Sequence, residues 1–291
     1  MTDLIGRSPA FTRLINTARL VAATEAPVLL CGQPGSGKSA LARAIHAASG
    51  RHGAPLLVFG CTGAQPESLA VMLESADPRA TLYLQEVGDL GQPDQARIVN
   101  LIRARDGDPR RAGLRIIAGT SEDLAGLVAQ GRFRRDLELR LGVVPLDIPP
   151  LRERVLDIPA LTERFLADAG TRHGLAPPRL DAGAQRLLRR YRWPGNLREL
   201  ANLCERLTIL LPGAEVGPEN LPRELRHGEV GGRPEHRFEL PPQGIDLNGL
   251  EAELIRQALS LAGGNKSRAA RLLGLTRDTL LYRLQKHLIS G

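Results

Sequence analysis

The sequence predicts an α/β protein: a parallel sheet with helices on both faces, then a smaller helical subdomain, then a three-helix tail. Three observations predict it. Short apolar runs alternate with helix-spaced segments through the first half of the 291 residues. A glycine-rich turn, Gly32-Gln33-Pro34-Gly35-Ser36-Gly37-Lys38-Ser39, joins one apolar run to one such segment. Past Pro149-Pro150 the strand signal stops, and from Arg226 to Gly244 apolar periodicity gives way to Gly, Pro, Glu, His and Arg.

The runs Val28–Cys31, Leu56–Phe59, Thr81–Leu84, Leu114–Ala118 and Val143–Ile148 are short and apolar, as buried strands are. Between them, Pro9–Val21, Ser39–Ala48, Gln92–Arg103 and Ser121–Ala129 carry apolar residues at helical spacing. Such alternation predicts parallel strands, because each parallel pair needs a long crossover and a helix supplies it. Beyond Pro150, Ile158–Asp168, Ala182–Tyr191 and Asn196–Leu211 read as helices of an all-α subdomain. Asp246–Ala262, Lys266–Leu273 and Arg277–His287 add three more in the tail. The expected domains are therefore residues 1–148 (α/β), 149–225 (helical), 226–245 (linker, stiffened at Pro241-Pro242) and 246–291 (tail).

Composition narrows the class. Hydrophobic residues make up 42% of the chain but aromatics only 3%, so Leu, Ile, Val and Ala must fill the core. No apolar run approaches the roughly 20 residues of a membrane helix. Met1–Pro9 lacks a signal-peptide pattern, so a cytoplasmic protein without a membrane partner is expected. Cys31, Cys61 and Cys204 form no CxxC pair and read as reduced core thiols. His46, His52, His173, His227, His236 and His287 are scattered without metal-ligand spacing, and Trp193 is expected in the core of the helical subdomain. The net charge of +7 favours a polyanionic partner. From Asp246 onward seven basic residues face four acidic ones, which makes the tail the expected DNA-contacting segment.

The turn Gly32–Ser39 fits G-x-x-x-x-G-K-[ST] in its required context, after a strand and opening a helix. Its glycines let backbone N–H groups converge on phosphate oxygens, and the helix N-terminus adds positive potential. Lys38 is expected to neutralise β and γ phosphates, and Ser39 to offer its hydroxyl to Mg²⁺, which makes ATP with Mg²⁺ the expected ligand. In the tail, Asn265–Leu284 reads as two helices with a turn at Gly274. Thr276 is the expected N-cap, Ala269 and Ala270 allow close packing, and Leu280, Leu281 and Leu284 form the apolar face. That places Lys266, Arg268, Arg277, Thr279, Arg283 and Lys286 as candidate contacts to double-stranded DNA.

With these motifs in order, the chain resembles the AAA+ domain of the bacterial enhancer-binding proteins, the sigma-54-interacting activators, ending in a Fis-type helix-turn-helix. The resemblance runs from about Leu4 to about Leu225, and again through the tail. It is carried by Leu4-Ile5-Gly6-Arg7-Ser8-Pro9, Thr81–Leu90, Gly131–Leu137 with Arg140-Leu141, Pro149–Arg154 and Trp193–Leu200. It implies an assembly, such as a ring, in which ATP lies between neighbouring subunits. Glu86 would activate water, Arg134 and Arg140 would reach the neighbour's γ-phosphate, and Arg198 would sense the nucleotide from the lid. It further implies RNA polymerase as partner and a dimer formed through the C-terminal helices, with Leu250–Leu261 contributing. No receiver or ligand-sensing segment is expected ahead of Leu4.

Three departures bear on mechanism. Gln85 stands where the family has the Asp that serves Mg²⁺, and Ser121 stands where it usually has Asn. The sigma-54-gripping loop Gly-Ala-Phe-Thr-Gly-Ala is absent between Cys61-Thr62-Gly63 and Thr81, where one helix, Pro66–Glu74, is expected instead. The expected function is a nucleotide-binding, DNA-binding transcription regulator that hydrolyses ATP slowly or not at all and does not remodel sigma-54 polymerase. Two alternatives stand beside it: a working ATPase in which Asp89 serves the metal, and a subunit that modulates a complete paralogue.

Overall fold

The computed structural model describes residues 4–65, 67–106, 113–227 and 246–287. They form two compact units, Met1–Gly231 and Gly232–Gly291. Most of the expected linker, including Pro241-Pro242 and His236, lies outside the described residues, as does Pro66.

The first unit opens with α1 (Pro9–Ala22), β1 (Val28–Cys31), α2 (Lys38–Ala47), β2 (Leu56–Gly60), α3 (Ser68–Glu74) and β3 (Thr81–Gln85). It continues with α4 (Gln92–Asp106), β4 (Arg115–Thr120), α5 (Leu124–Ala129), α6 (Arg135–Leu141) and β5 (Pro145–Asp147). All five strands are parallel, in the order β2-β3-β4-β1-β5. Both sheet faces are covered, and the two-residue side-chain period divides the strands between them. Val28, Leu30, Tyr83 and Ile117 pack towards α1 and α2. Leu29, Leu82, Leu84, Ile116 and Ala118 pack towards α4, α5 and α6.

Departures from expectation have local causes. The helix expected from Ser121 begins only at Leu124, because Asp123 adopts extended backbone and caps it, accepting from Ala125 N at 3.1 Å. β5 is shorter than Val143–Ile148; Pro145 has no N–H for a ladder, and Val143 is exposed. The charged stretch Arg135–Leu141 conceals a helix that buries only Leu137 and Leu141.

The same unit ends in α7 (Ile158–His173), β6 (Arg179–Leu180), α8 (Ala182–Arg190), α9 (Asn196–Leu210), β7 (Glu215–Val216) and α10 (Arg223–His227). The helical subdomain thus also carries a short parallel ladder, β6 with β7. α7 runs past Asp168 to Gly174, whose φ of +65° lets the chain turn out of the helix. Arg226 and His227, expected in the linker, belong to α10. Trp193 is fully buried, edge-on to Tyr191, and donates from Nε1 to Leu188 O at 2.8 Å.

The second unit is α11 (Leu247–Leu261), α12 (Lys266–Leu272) and α13 (Arg277–Lys286). Asp246, Asn265 and Thr276 cap them in turn, Thr276 accepting from Thr279 N at 3.2 Å. Ala269, Ala270, Leu280 and Leu284 form its core with Ile255, Ala258 and Leu259. Among the described residues, no helix is long and apolar enough to cross a membrane. Cys31, Cys61 and Cys204 are free thiols, and burial pushes Cys61 and Cys204 up to about 12, so both stay protonated.

Candidate functional site

The glycine-rich turn sits at the carboxyl end of β1, where one crossover leaves for the β2 edge and β5 lies on the other side. Open parallel sheets bind ligands at such a switch point. The strand tips of β3 and β4 close the same corner: Gly32 N donates to Thr120 O at 3.1 Å, and Cys31 is in register with Thr120.

Lys38 is buried. Its Nζ donates to Gly32 O at 2.8 Å and forms an ion pair with Glu86 Oε1 at 2.9 Å. The other Glu86 oxygen accepts from Ser121 N at 2.8 Å and Ser121 Oγ at 2.7 Å. Burial alone raises this carboxyl's pKa, but the bonds from Lys38 and Ser121 outweigh it and hold Glu86 below the ordinary glutamate value. A carboxylate so occupied is a weak base. Glu86 also adopts a left-handed φ of 53°, which turns the chain out of β3 towards β4.

Ser39 Oγ accepts from Gln85 Nε2 at 3.0 Å and lies 3.4 Å from the Tyr83 hydroxyl. Asp89, the alternative acid, accepts from Thr62 Oγ1 in a short 3-10 turn, Val87–Asp89, beyond the strand.

The helical subdomain reaches the loop directly. Asn196 Nδ2 donates to Pro34 O at 3.0 Å, and Leu197 N donates to Gly35 O at 3.0 Å. Arg152 Nη1 and Asn196 Nδ2 both donate to Gln33 Oε1, at 2.9 and 3.4 Å. A Cβ at Gly35, whose φ is +75°, would collide with the Gly195 carbonyl, so this approach requires glycine. Arg198 is exposed on α9 with its Cβ beside Gly35. Behind the loop lies a cavity of about 190 Å³, lined by Leu4, Ile5, Ser36, Leu161, Phe165 and Leu197 among others. Ser36 Oγ, buried at its edge, has no hydrogen-bond partner among the described residues.

Arg134 caps α6 and makes a two-pronged ion pair with Asp136, both bonds 3.0 Å. Arg140 lies in the last turn of the same helix. The segment before them is fastened to α4: Gln95, fully buried, donates to Arg132 O at 3.1 Å and accepts from Arg134 N at 2.8 Å.

In the second unit, Lys266 and Arg268 occupy the first turn of α12, and Arg277 is exposed at the start of α13. Thr279 Oγ1 lies 2.7 Å from Thr276 Oγ1, within the cap. Two candidate DNA contacts are engaged internally. Glu251 of α11 pairs with Arg283, with Lys286 at 3.4 Å and with His287 at 2.7 Å.

The chain matches the sigma-54 interaction domain over residues 5–151, the AAA+ ATPase lid domain over 152–237 and the Fis family of bacterial regulatory proteins over 247–287. It is 38% identical to the transcriptional regulatory protein ZraR of Klebsiella oxytoca, over 97% of this chain and 68% of ZraR. It belongs to the bacterial enhancer-binding family. The regulator XylR of Pseudomonas putida is 37% identical over 97% of this chain and 56% of its own length. Among solved structures, NtrX of Brucella abortus in complex with ADP has 32% identity and a TM-score of 0.69, covering 99% of this chain and 69% of NtrX. NtrX has also been solved with ATP.

The fold brings Lys38, Ser39, Gln85, Glu86 and Ser121 to one corner. Ser36 was expected as part of the phosphate loop and Asn196 as part of the Trp193–Leu200 motif, but the sequence does not show what either side chain touches. Leu161 and Phe165 belong to no motif, since only folding places them beside Ser36.

Proposed function

We propose that the chain is an ATP-binding, sequence-specific DNA-binding transcription regulator whose motor is disabled, with ATP acting as a ligand that favours one assembly state. The observation that carries it is the strand tip: Gln85 bonds Ser39, while Lys38 and Ser121 occupy Glu86. The corner keeps a phosphate cradle and loses the acid that would serve a metal. Between Gly60 and Thr81 the described chain holds only the short α3, which supports a regulator that does not remodel sigma-54 polymerase. Nucleotide binding itself is supported by the buried Lys38, the unpartnered Ser36 Oγ and the NtrX complexes with ADP and ATP.

Steady-state phosphate release with Mg-ATP across protein concentrations tests this proposal. Wild type is expected to show no turnover above the Lys38→Ala background, and Gln85→Asp to gain it. Wild-type turnover that rises with protein concentration and vanishes in Lys38→Ala would mean a working ATPase instead. A mixed assembly has one observation in its favour, the retained Arg134 and Arg140. In that arrangement Arg134 would exchange its exposed partner Asp136 for a neighbour's phosphate.

The tail would bind paired half-sites as a dimer through α11, on which Leu254 and Leu261, seven residues apart, are exposed on one face. Arg277→Ala is expected to weaken specific binding by about 1–3 kcal/mol. Lys286→Ala should cost less, because Glu251 already neutralises that side chain. Footprints at several salt concentrations check both, and an unchanged footprint in an Arg277→Ala, Arg283→Ala double variant would remove the DNA assignment.

A further inference from the structure

The oxygen that the phosphate-loop motif offers to Mg²⁺ is Ser39 Oγ, and here it accepts a hydrogen bond from Gln85 Nε2 at 3.0 Å. A serine hydroxyl has one proton and two acceptor positions. Gln85 fills one acceptor position with an N–H, and its partial positive charge stands beside the oxygen a cation would use. Mg²⁺ demands near-octahedral oxygen ligands and is usually held by one or two carboxylates besides phosphate. Among the described residues, neither Glu86 nor Asp89 repairs the loss. Glu86 accepts from Lys38 and from both donors of Ser121, and Asp89 accepts from Thr62 in the turn beyond β3. The Tyr83 hydroxyl, 3.4 Å from Ser39 Oγ, is a neutral group, and burial pushes its pKa further up. The residues present do not fit Mg²⁺.

They do fit an anion. With its oxygen held by Gln85, Ser39 keeps a proton to donate. Lys38 lies at the mouth of α2, paired with a carboxylate that a phosphate can replace as the local negative charge. We propose that this corner is a metal-independent nucleotide site. It binds the polyphosphate of a nucleoside di- or triphosphate as the free anion, with Lys38 as counter-ion and Ser39 as a donor oriented by Gln85. The inference rests on the nucleotide binding proposed above and adds the form in which the nucleotide is bound. Gln85 is then a positioning residue that selects uncomplexed over metal-complexed nucleotide.

Calorimetric titration of the full chain with ADP and with ATP, in EDTA and in excess Mg²⁺, tests the inference without any variant. Wild-type affinity is expected to agree within about threefold between the two conditions, a free-energy difference below that of one tenfold step. In Gln85→Asp, Mg²⁺ is expected to tighten ATP binding by about tenfold or more, since a carboxylate again faces the cation. A melting curve of that variant confirms its fold. Wild-type binding that weakens tenfold or more in EDTA would overturn the metal-independent site and leave nucleotide binding standing. Absence of binding in both conditions, indistinguishable from Lys38→Ala, would overturn nucleotide binding itself and this inference with it.

Discussion

Replacing Asp157 with alanine is expected to destabilise the Met1–Gly231 unit by about 3–5 kcal/mol, the cost of leaving a buried charge without its partner. Asp157 and Arg154 are both almost fully buried, and Arg154 Nε donates to Asp157 Oδ2 at 3.0 Å. The same carboxylate accepts from Arg7 N at 2.5 Å, Ser8 N at 2.8 Å and Ser8 Oγ at 2.8 Å. Arg154 in turn donates to Ile5 O at 3.0 Å and lies 3.6 Å from the centroid of the Phe11 ring. The pair therefore ties the start of the helical subdomain to the segment that leads into α1 and lines the cavity behind the phosphate loop. Removing the carboxylate orphans a guanidinium, two backbone N–H groups and a hydroxyl at once. Urea denaturation reads the loss, and a change below about 1 kcal/mol, the range of an exposed ion pair, would contradict the assignment.

The same residue sets a pH limit. Burial raises the Asp157 pKa, but the bonds from Arg7, Arg154 and Ser8 outweigh it, and the folded value is lowered. A depressed carboxyl contributes stability that is fully present above the unfolded value, about 3.9, and is lost as pH falls through the folded one. The acid limb of the wild-type stability curve should flatten in Asp157→Ala.

The sheet was legible because buried parallel strands are near-continuous apolar runs, and Val28–Cys31 or Thr81–Leu84 can hardly be anything else. The phosphate loop was legible because its chemistry demands glycines and a lysine at fixed spacing. Arg135–Leu141 was not, since a helix that buries only two leucines leaves a faint period among five other residues, four of them charged. The internal pairing of Arg283 and Lys286 with Glu251 was hidden for another reason. A count of charges from Asp246 onward sees an excess of bases but not which acid faces which base across α11 and α13. The role of Gln85 was half legible: sequence shows that a carboxylate is missing, while only geometry shows where its amide points.

Asn196 shows how the same local rules couple the nucleotide corner to the helical subdomain, and Asn196→Ala is expected to cost about 2–5 kcal/mol. The residue is fully buried with φ of 52°, a conformation that asparagine tolerates better than alanine. Its Oδ1 accepts from Leu151 N at 2.8 Å, at the first turn after Pro149-Pro150, while Nδ2 donates to Pro34 O in the phosphate loop. One side chain thus fastens three places: the turn after Pro149-Pro150, the loop and the start of α9. Alanine leaves the buried Leu151 N–H unsatisfied and adds left-handed strain; glycine removes the bonds but not the conformation. Asn196→Gly should therefore recover about 1–2 kcal/mol of the loss, the left-handed penalty alone. Wild type is expected to melt higher on adding ATP, and neither variant to show that rise, because no side chain then ties the Pro34 carbonyl to the Leu151 turn. If both variants melt as wild type does and respond equally to ATP, the coupling runs through Leu197 and Arg152 instead, whose bonds to Gly35 and Gln33 these substitutions leave in place.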